Sequence, residues 1–249
     1  MPLVSVSALI LQAFPYSDTS KILRLLTRDY GVQSVIAKGA LRPKSRFGGV
    51  LEPFTEGVAS FVLRESRELH TLTGFELIKS RQALGDDLVR FGGASLVAEL
   101  VMRVGSEERD PTLFDALLRA LDCIEQAEPL MSEGVVLAQA WSLISHLGFA
   151  PALDECINCG RPIDQQEEVI FDYTAGGVRC LDCGAGLGGR LVPAAARTVL
   201  RNLVEGNAVS LERSAAHWRL LTRFLSHHVL EGQTLHSLTF LAAATGDVE

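Results

Sequence analysis

Four cysteines constrain this chain more than any other feature. Cys156-Ile-Asn-Cys159-Gly160 is followed, after the 20 residues from Gly160 to Arg179, by Cys180-Leu-Asp-Cys183-Gly184. Two residues between the members of a pair let both sulfurs of one turn face one ion. Two such pairs at this separation match tetrahedral zinc sites. The glycine after each second cysteine permits the tight backbone that aims amide groups at sulfur. Four thiolates leave no open coordination position, so the ion would hold structure and perform no chemistry. The spacing therefore predicts a zinc module over about 153–190, held by Cys156, Cys159, Cys180 and Cys183. Disulfides and a redox-active C-x-x-C compete for the same residues. The first is out of place in a cytoplasmic chain, and two matched turns argue against the second. The fifth cysteine, Cys123, falls on a helical stripe and reads as a buried hydrophobe.

The module interrupts a helical region. Gly85 to Val104 places Leu88, Phe91, Leu96, Leu100 and Val104 near helical spacing. Pro111 to Ile124 opens with proline at a first-turn position and carries Leu113, Leu117, Leu121 and Ile124 on one side. Glu133 to Leu147, Pro193 to Glu205 and Leu211 to Leu230 complete the set, the last with Ala215, Trp218, Leu221, Leu225 and Val229 along one stripe. Ahead of residue 80 the pattern is different. Ser5–Phe14, Ser20–Thr27, Gly31–Lys38, Phe54–Leu63 and Leu69–Leu77 are short apolar runs rich in residues that favour pleated, half-buried positions. Five short strands in about 75 residues fit a small closed barrel better than an open sheet. The chain thus reads as α+β with more than one domain: a barrel over 1–80 and a helical domain over 81–249 that carries the cysteine module.

Charge separates the same two parts. The first 80 residues hold 10 Lys+Arg against 7 Asp+Glu, while the rest hold 13 against 23, in a chain of net charge −7. A basic part joined to an acidic remainder suggests that only the first meets polyanions. Its cations gather in AKGALRPKSRFGGVLEPF, between the third and fourth strands, where Pro43 and Gly48-Gly49 keep the backbone out of regular structure. Lys38, Arg42, Lys44 and Arg46 can neutralise phosphates there without reading bases. Phe47 is placed either to stack on a base or to anchor the loop on the barrel. Lys21 and Arg24, on the second strand, extend the track or are solvated strand residues.

Several chemistries find no support. Gly184-Ala-Gly186-Leu-Gly188-Gly189 satisfies G-x-G-x-x-G but follows a metal turn and not a strand. No Walker motif, H-E-x-x-H or G-x-S-x-G occurs, and the six histidines make no metal or catalytic spacing. His227-His228 reads as the solvated edge of a helix. The chain is expected to be no enzyme. Met1 to Phe14 has no basic residue ahead of its apolar run, and no window reaches the length of a membrane helix, so a cytoplasmic protein is expected.

The stretch TSKILRLLTRDYGVQSVIAKGALRPKSRFGGVLEPF, from Thr19 to Phe54, together with CINCG, GGVRC and CLDCG, resembles the RecO recombination mediators, a bacterial DNA-repair family. The resemblance covers nearly the whole chain. It implies that the barrel is an OB fold, followed by a helical domain and a zinc module. It also implies binding to single- and double-stranded DNA, annealing of complementary strands at the nucleoid in response to DNA damage, and partnership with RecR and the single-strand-binding protein. The coat proteins of single strands often end in an acidic, hydrophobic tail. Arg197, Arg201, Arg219 and Arg223, beside leucines on the last helices, are the candidates to hold one, since guanidinium groups pair with carboxylates while their stems cover apolar surface. Two other classes stay open: a zinc-ribbon accessory protein that contacts only proteins, and a metal-dependent nuclease with scattered acids.

Overall fold

The computed structural model describes residues 2–63, 67–186, 189–211, 214–230 and 232–245. Leu187-Gly188 of the glycine run, and residues 212–213 of the last predicted helix, lie outside them. The chain forms two compact units: residues 1–87 with 94–125, and residues 88–93 with 126–249. The sequence division at residue 80 assigned 94–125 to the helical part; by packing these residues group with the barrel.

Five strands build the first unit: β1 (Leu3–Ser17), β2 (Ser20–Thr27), β3 (Gly31–Ala37), β4 (Glu56–Val62) and β5 (Leu69–Lys79). They close in the order β1-β2-β3-β5-β4, with β1 antiparallel to β4 and β3 parallel to β5. This is an OB-type barrel. Period-2 alternation explains it: Val6, Ala8, Ile10, Leu23, Leu25, Val35, Ala37, Ala59, Phe61 and Leu72 all point into one core. The reverse face of β1–β3 is buried as well, through Leu9, Leu11, Leu26 and Val32. The Val32 amide there donates to the Ser106 carbonyl at 2.9 Å. Gly31 makes the β2–β3 turn at φ 59°, and a Cβ on it would lie 2.3 Å from the Ser106 oxygen, so no other residue fits without strain.

Helices follow: α1 (Leu88–Val104), after a short 3-10 turn at Gln82–Asp86, and α2 (Pro111–Glu125). Arg81 ties α2 to the barrel. Its side chain is fully buried, and it donates to Asp122 through Nε (2.9 Å) and Nη2 (2.7 Å) and to the Phe54 carbonyl through Nη1 (3.1 Å). Phe54 itself sits at φ 64°, a left-handed conformation costly for a bulky residue. Backbone bonds to Ile10 hold it: the Phe54 amide donates to the Ile10 oxygen at 2.7 Å, and the Ile10 amide to the Thr55 oxygen at 2.9 Å. Two expectations are corrected here. Cys123 is exposed, because it falls one residue off the buried stripe of Leu117, Leu121 and Ile124. Leu88 and Phe91 are also exposed, since the buried face of α1 runs through Leu96, Val97, Leu100 and Val101.

The second unit packs α3 (Ser132–His146) against α5 (Ala194–Val204) and α6 (Ala215–His228). Trp141 and Phe224 meet at 5.0 Å between ring centres. A helix that the periodicity did not reveal, α7 (His236–Thr245), closes the unit, with Leu238 and Leu241 buried. Between α3 and α5 runs a three-stranded antiparallel sheet, ordered β7-β6-β8, of β6 (Val169–Asp172), β7 (Gly177–Arg179) and β8 (Arg190–Val192). The one-turn helix α4 (Leu181–Gly184) lies between β7 and β8. No described helix is long and apolar enough to cross a membrane.

Candidate metal centre and nucleic-acid interface

The two cysteine pairs converge at one end of the small sheet. The first lies in a turn closed by the Cys156 amide on the Arg161 oxygen (2.9 Å) and by the Gly160 amide on the Cys156 oxygen (2.8 Å). Cys180 leaves β7, and the Gly184 amide returns to its oxygen at 2.9 Å. The Ile157 amide donates to the Val178 oxygen at 2.9 Å and fastens the first turn to β7, the strand that leads into Cys180. All four sulfurs then lie within 4.8 Å of one another. Metal–sulfur bonds of about 2.3 Å in a tetrahedron need sulfurs about 3.8 Å apart. The spread therefore fits a single ion after a slight closure.

Electrostatics agree with the geometry. Burial pushes the Cys156 thiol up, but the amides of Cys159, Cys180 and Asn158 outweigh it and bring the thiol down to about 6. Amide donation from Cys183 likewise lowers Cys180. The side chain of Asn158 donates to the Cys183 sulfur at 3.4 Å and lowers its pKa. The neighbouring thiols of Cys180 and Cys159 work the other way and raise Cys183 to about 11. Four sulfurs this close cannot all ionise without a cation among them. Cys156 and Cys180 are buried, while Cys159 is exposed and Cys183 half-buried.

The basic loop is not loose. Successive tight turns run along it, with amide-to-carbonyl bonds Arg42 to Gly39, Ser45 to Arg42, Gly48 to Ser45 and Val50 to Phe47. Its start is tied to the β1–β2 hairpin by the Leu41 amide on the Thr19 oxygen at 3.0 Å. Its middle is driven into the barrel, where Phe47 and Leu51 belong to the core. Its end is held by Lys21, whose Nζ reaches Glu52 at 2.9 Å and the Leu51 oxygen at 3.2 Å.

This anchoring sorts the sequence candidates. Lys38, Arg42 and Lys44 are exposed, and their side chains make no hydrogen bond or ion pair with any described residue. Arg46 is exposed but partly engaged, with Nη2 on the Leu72 oxygen at 3.2 Å and its guanidinium 4.9 Å from the Phe47 ring centre. Phe47 is only 3% exposed, so the base-stacking role is corrected: the ring is an anchor, because the core offers it more than solvent does. Lys21 and Arg24 are half-buried and already bonded, Arg24 to the Ser34 hydroxyl at 2.7 Å.

The four helical arginines divide in the same way. Arg197 is buried and donates to the Asp164 carbonyl; Arg201 pairs with the Asp154 carboxylate. Both fasten α5 to the cysteine module; burial takes Arg197 out of a tail's reach, which corrects its assignment, and Arg201 is engaged with an exposed carboxylate. His228 does similar work from α6, bonded to the Tyr173 oxygen at 2.7 Å, so it is no solvated edge. Arg219 and Arg223 do border an apolar groove of about 260 Å³ between α6 and α7, lined by Trp218, Leu238 and Leu241 among others.

One residue escaped the sequence reading. Tyr16 is 62% exposed at the end of β1, beside Lys38 and Arg42. Its only sequence signal was its place in the turn-like PYSDT, which says nothing of where the ring points.

The comparisons with known proteins agree with this architecture. Residues 1–81 match the family model described as Recombination protein O N terminal, and residues 85–238 match Recombination protein O C terminal. The chain is 33% identical to the DNA repair protein RecO of Anaeromyxobacter dehalogenans (strain 2CP-C), over 97% of this chain and 96% of that protein. It is 33% identical to that of Caldanaerobacter subterraneus subsp. tengcongensis, over 74% of this chain and 72% of the relative. The protein of the same name in Rubrobacter xylanophilus is 34% identical over the same shares.

Proposed function

This chain belongs to the recombination protein O family, and we propose that it is a non-catalytic mediator of recombinational DNA repair that binds single and double strands and anneals complementary ones. The observation that carries the reading is the hydrogen-bonded loop with three exposed cations, Lys38, Arg42 and Lys44, that pair with no described residue and are displayed on an OB-type barrel. Such barrels combine a charged groove with stacking side chains to hold single strands. Annealing needs the repulsion of two polyanions screened, and a fixed basic surface supplies that without covalent chemistry. Arg46 adds a fourth charge at the loop's inner edge. Lys21 and Arg24 shape the loop and strand beneath and contribute field more than contact.

The cysteine centre takes one zinc ion through Cys156, Cys159, Cys180 and Cys183. A zinc ion there supplies four bonds that close the module on itself, and the chain's own amides and Asn158 stabilise the thiolates that receive it. The groove beside Arg219 and Arg223 is the site for the acidic, apolar tail of a single-strand-binding protein; RecR is the second protein partner. A mediator of this kind acts where the chromosome is, at the cytoplasmic nucleoid.

A mixing experiment tests the core of this reading. Purified chain is added to two complementary labelled strands, and duplex formation is followed with rising salt. Acceleration that declines steeply with salt is expected. No acceleration, with no binding to either strand, overturns the reading in favour of a protein-binding accessory role. Magnesium-dependent strand cleavage overturns it in favour of a nuclease.

A further inference from the structure

Tyr16 occupies an unusual position. The β1–β2 ladder is irregular between Pro15 and Ser17, so Tyr16 sits at a bulge. Bulges re-aim side chains and leave the extra residue out of the ladder. It lies in an exposed run, residues 14–18 at the end of β1, and 62% of the residue is in solvent. It forms one wall of a groove of about 300 Å³ whose other walls carry Lys38, Arg42 and the hydroxyl-bearing Ser17 and Thr19, with Ile36 also lining it. The two walls keep their spacing, because the Leu41 amide is bonded to the Thr19 oxygen across the groove. The volume lies at the small end of ligand pockets, which span about 300–1,000 Å³. It suits one nucleotide unit.

We infer that this groove is a single-nucleotide subsite in which Tyr16 stacks on an unpaired base while Lys38 and Arg42 take the adjoining phosphate. The inference rests on the DNA-binding reading above and deepens it. Stacking needs a free base face, and the bases of a duplex have already given theirs to one another. Phosphate contact is available from either form. Tyr16 therefore favours single strands over duplex, whereas the loop cations serve both. One barrel could then hold single strands firmly and release them once they have paired.

The test compares Tyr16→Ala, Tyr16→Phe and a Lys38→Ala/Arg42→Ala/Lys44→Ala variant on three probes: a short oligodeoxythymidylate, an abasic strand of equal length, and a duplex. Base–aromatic stacking predicts a loss of about 5- to 150-fold for Tyr16→Ala on the oligodeoxythymidylate. Tyr16→Phe should keep most of the affinity, and neither Tyr16 variant should differ from the parent on the abasic strand or the duplex. The cation variant should lose affinity for all three. Equal affinity of Tyr16→Ala and parent for the oligodeoxythymidylate overturns the subsite, as does an equal loss on the abasic strand. A cation variant unchanged on every probe overturns the underlying loop reading instead.

Discussion

Lys21 Nζ lies 2.9 Å from Glu52 Oε1, joining strand β2 to the far end of the basic loop. A lysine that looked like a phosphate contact is thus spent within the protein, and Glu52, the one acid within residues 37–54, is paired by it. Lys21→Met should lower stability by about 1 kcal/mol or less, since Glu52 is half in solvent. Salt-dependent strand binding should keep its slope. A thermal melt and a salt titration of the same sample read both effects.

Phe47 provides the stronger hold on the loop. Removing a buried phenylalanine typically costs about 3–5 kcal/mol, and Phe47 is 3% exposed within the barrel core. Phe47→Ala should therefore be far more destabilising than any cation substitution in the same loop. Urea unfolding of the variant measures it. A loss below about 0.5 kcal/mol, the range of surface changes, would show that the ring does not plug the barrel.

Asp122 should make the first unit acid-sensitive. Burial raises its pKa, but hydrogen bonds from Lys79 (2.8 Å) and Arg81 outweigh that and hold it below its ordinary 3.8. The folded chain then binds fewer protons than the unfolded chain in this range. The stabilisation is complete well above pH 3.8 and fades as pH falls through and below that value. Asp122→Asn should be less stable than the parent at pH 7, by about 1 kcal/mol given its partial exposure. The gap should close on acidification. A gap that stays constant from pH 7 to about pH 3 would contradict the pairing.

Zinc should be present at one ion per chain, and Cys180→Ser should lose it. Isolated zinc modules draw on the order of 10 kcal/mol from the metal. Here Arg197, Arg201 and His228 also hold the module to its helices, so the loss should be smaller. Elemental analysis of unchelated protein, with far-ultraviolet dichroism of the variant, decides the matter. Protein free of stoichiometric zinc would remove the centre from the account.

The sequence made some of this legible because the deciding interactions are local. Alternation placed all five barrel strands within a few residues, and the cysteine spacing identified four sulfurs that the fold does bring together. What stayed hidden depends on partners distant in sequence. Arg197 and Arg201 look like any helix-surface arginines until residues near 154 and 164 fold back on them. Phe47 was equally suited to solvent or core, and only the closed barrel chose. Helix α7 was missed because SLTFLAAA is nearly all apolar and carries no polar face to mark a period. Tyr16 is exposed because the end of β1 runs past the stretch that β4 covers, which no composition announces.

The central claim is that Lys38, Arg42 and Lys44 meet phosphate from a preformed loop. It is tested most directly by a salt titration of single-strand binding for the parent and for the variant with all three changed to alanine. Each phosphate contact contributes roughly 0.7 to the slope of log K against log salt on single strands. Three lost contacts should flatten the slope by about 2, with the thermal melt and the zinc content unchanged. A folded triple variant that keeps the parental slope would contradict the account and move the DNA surface off this loop.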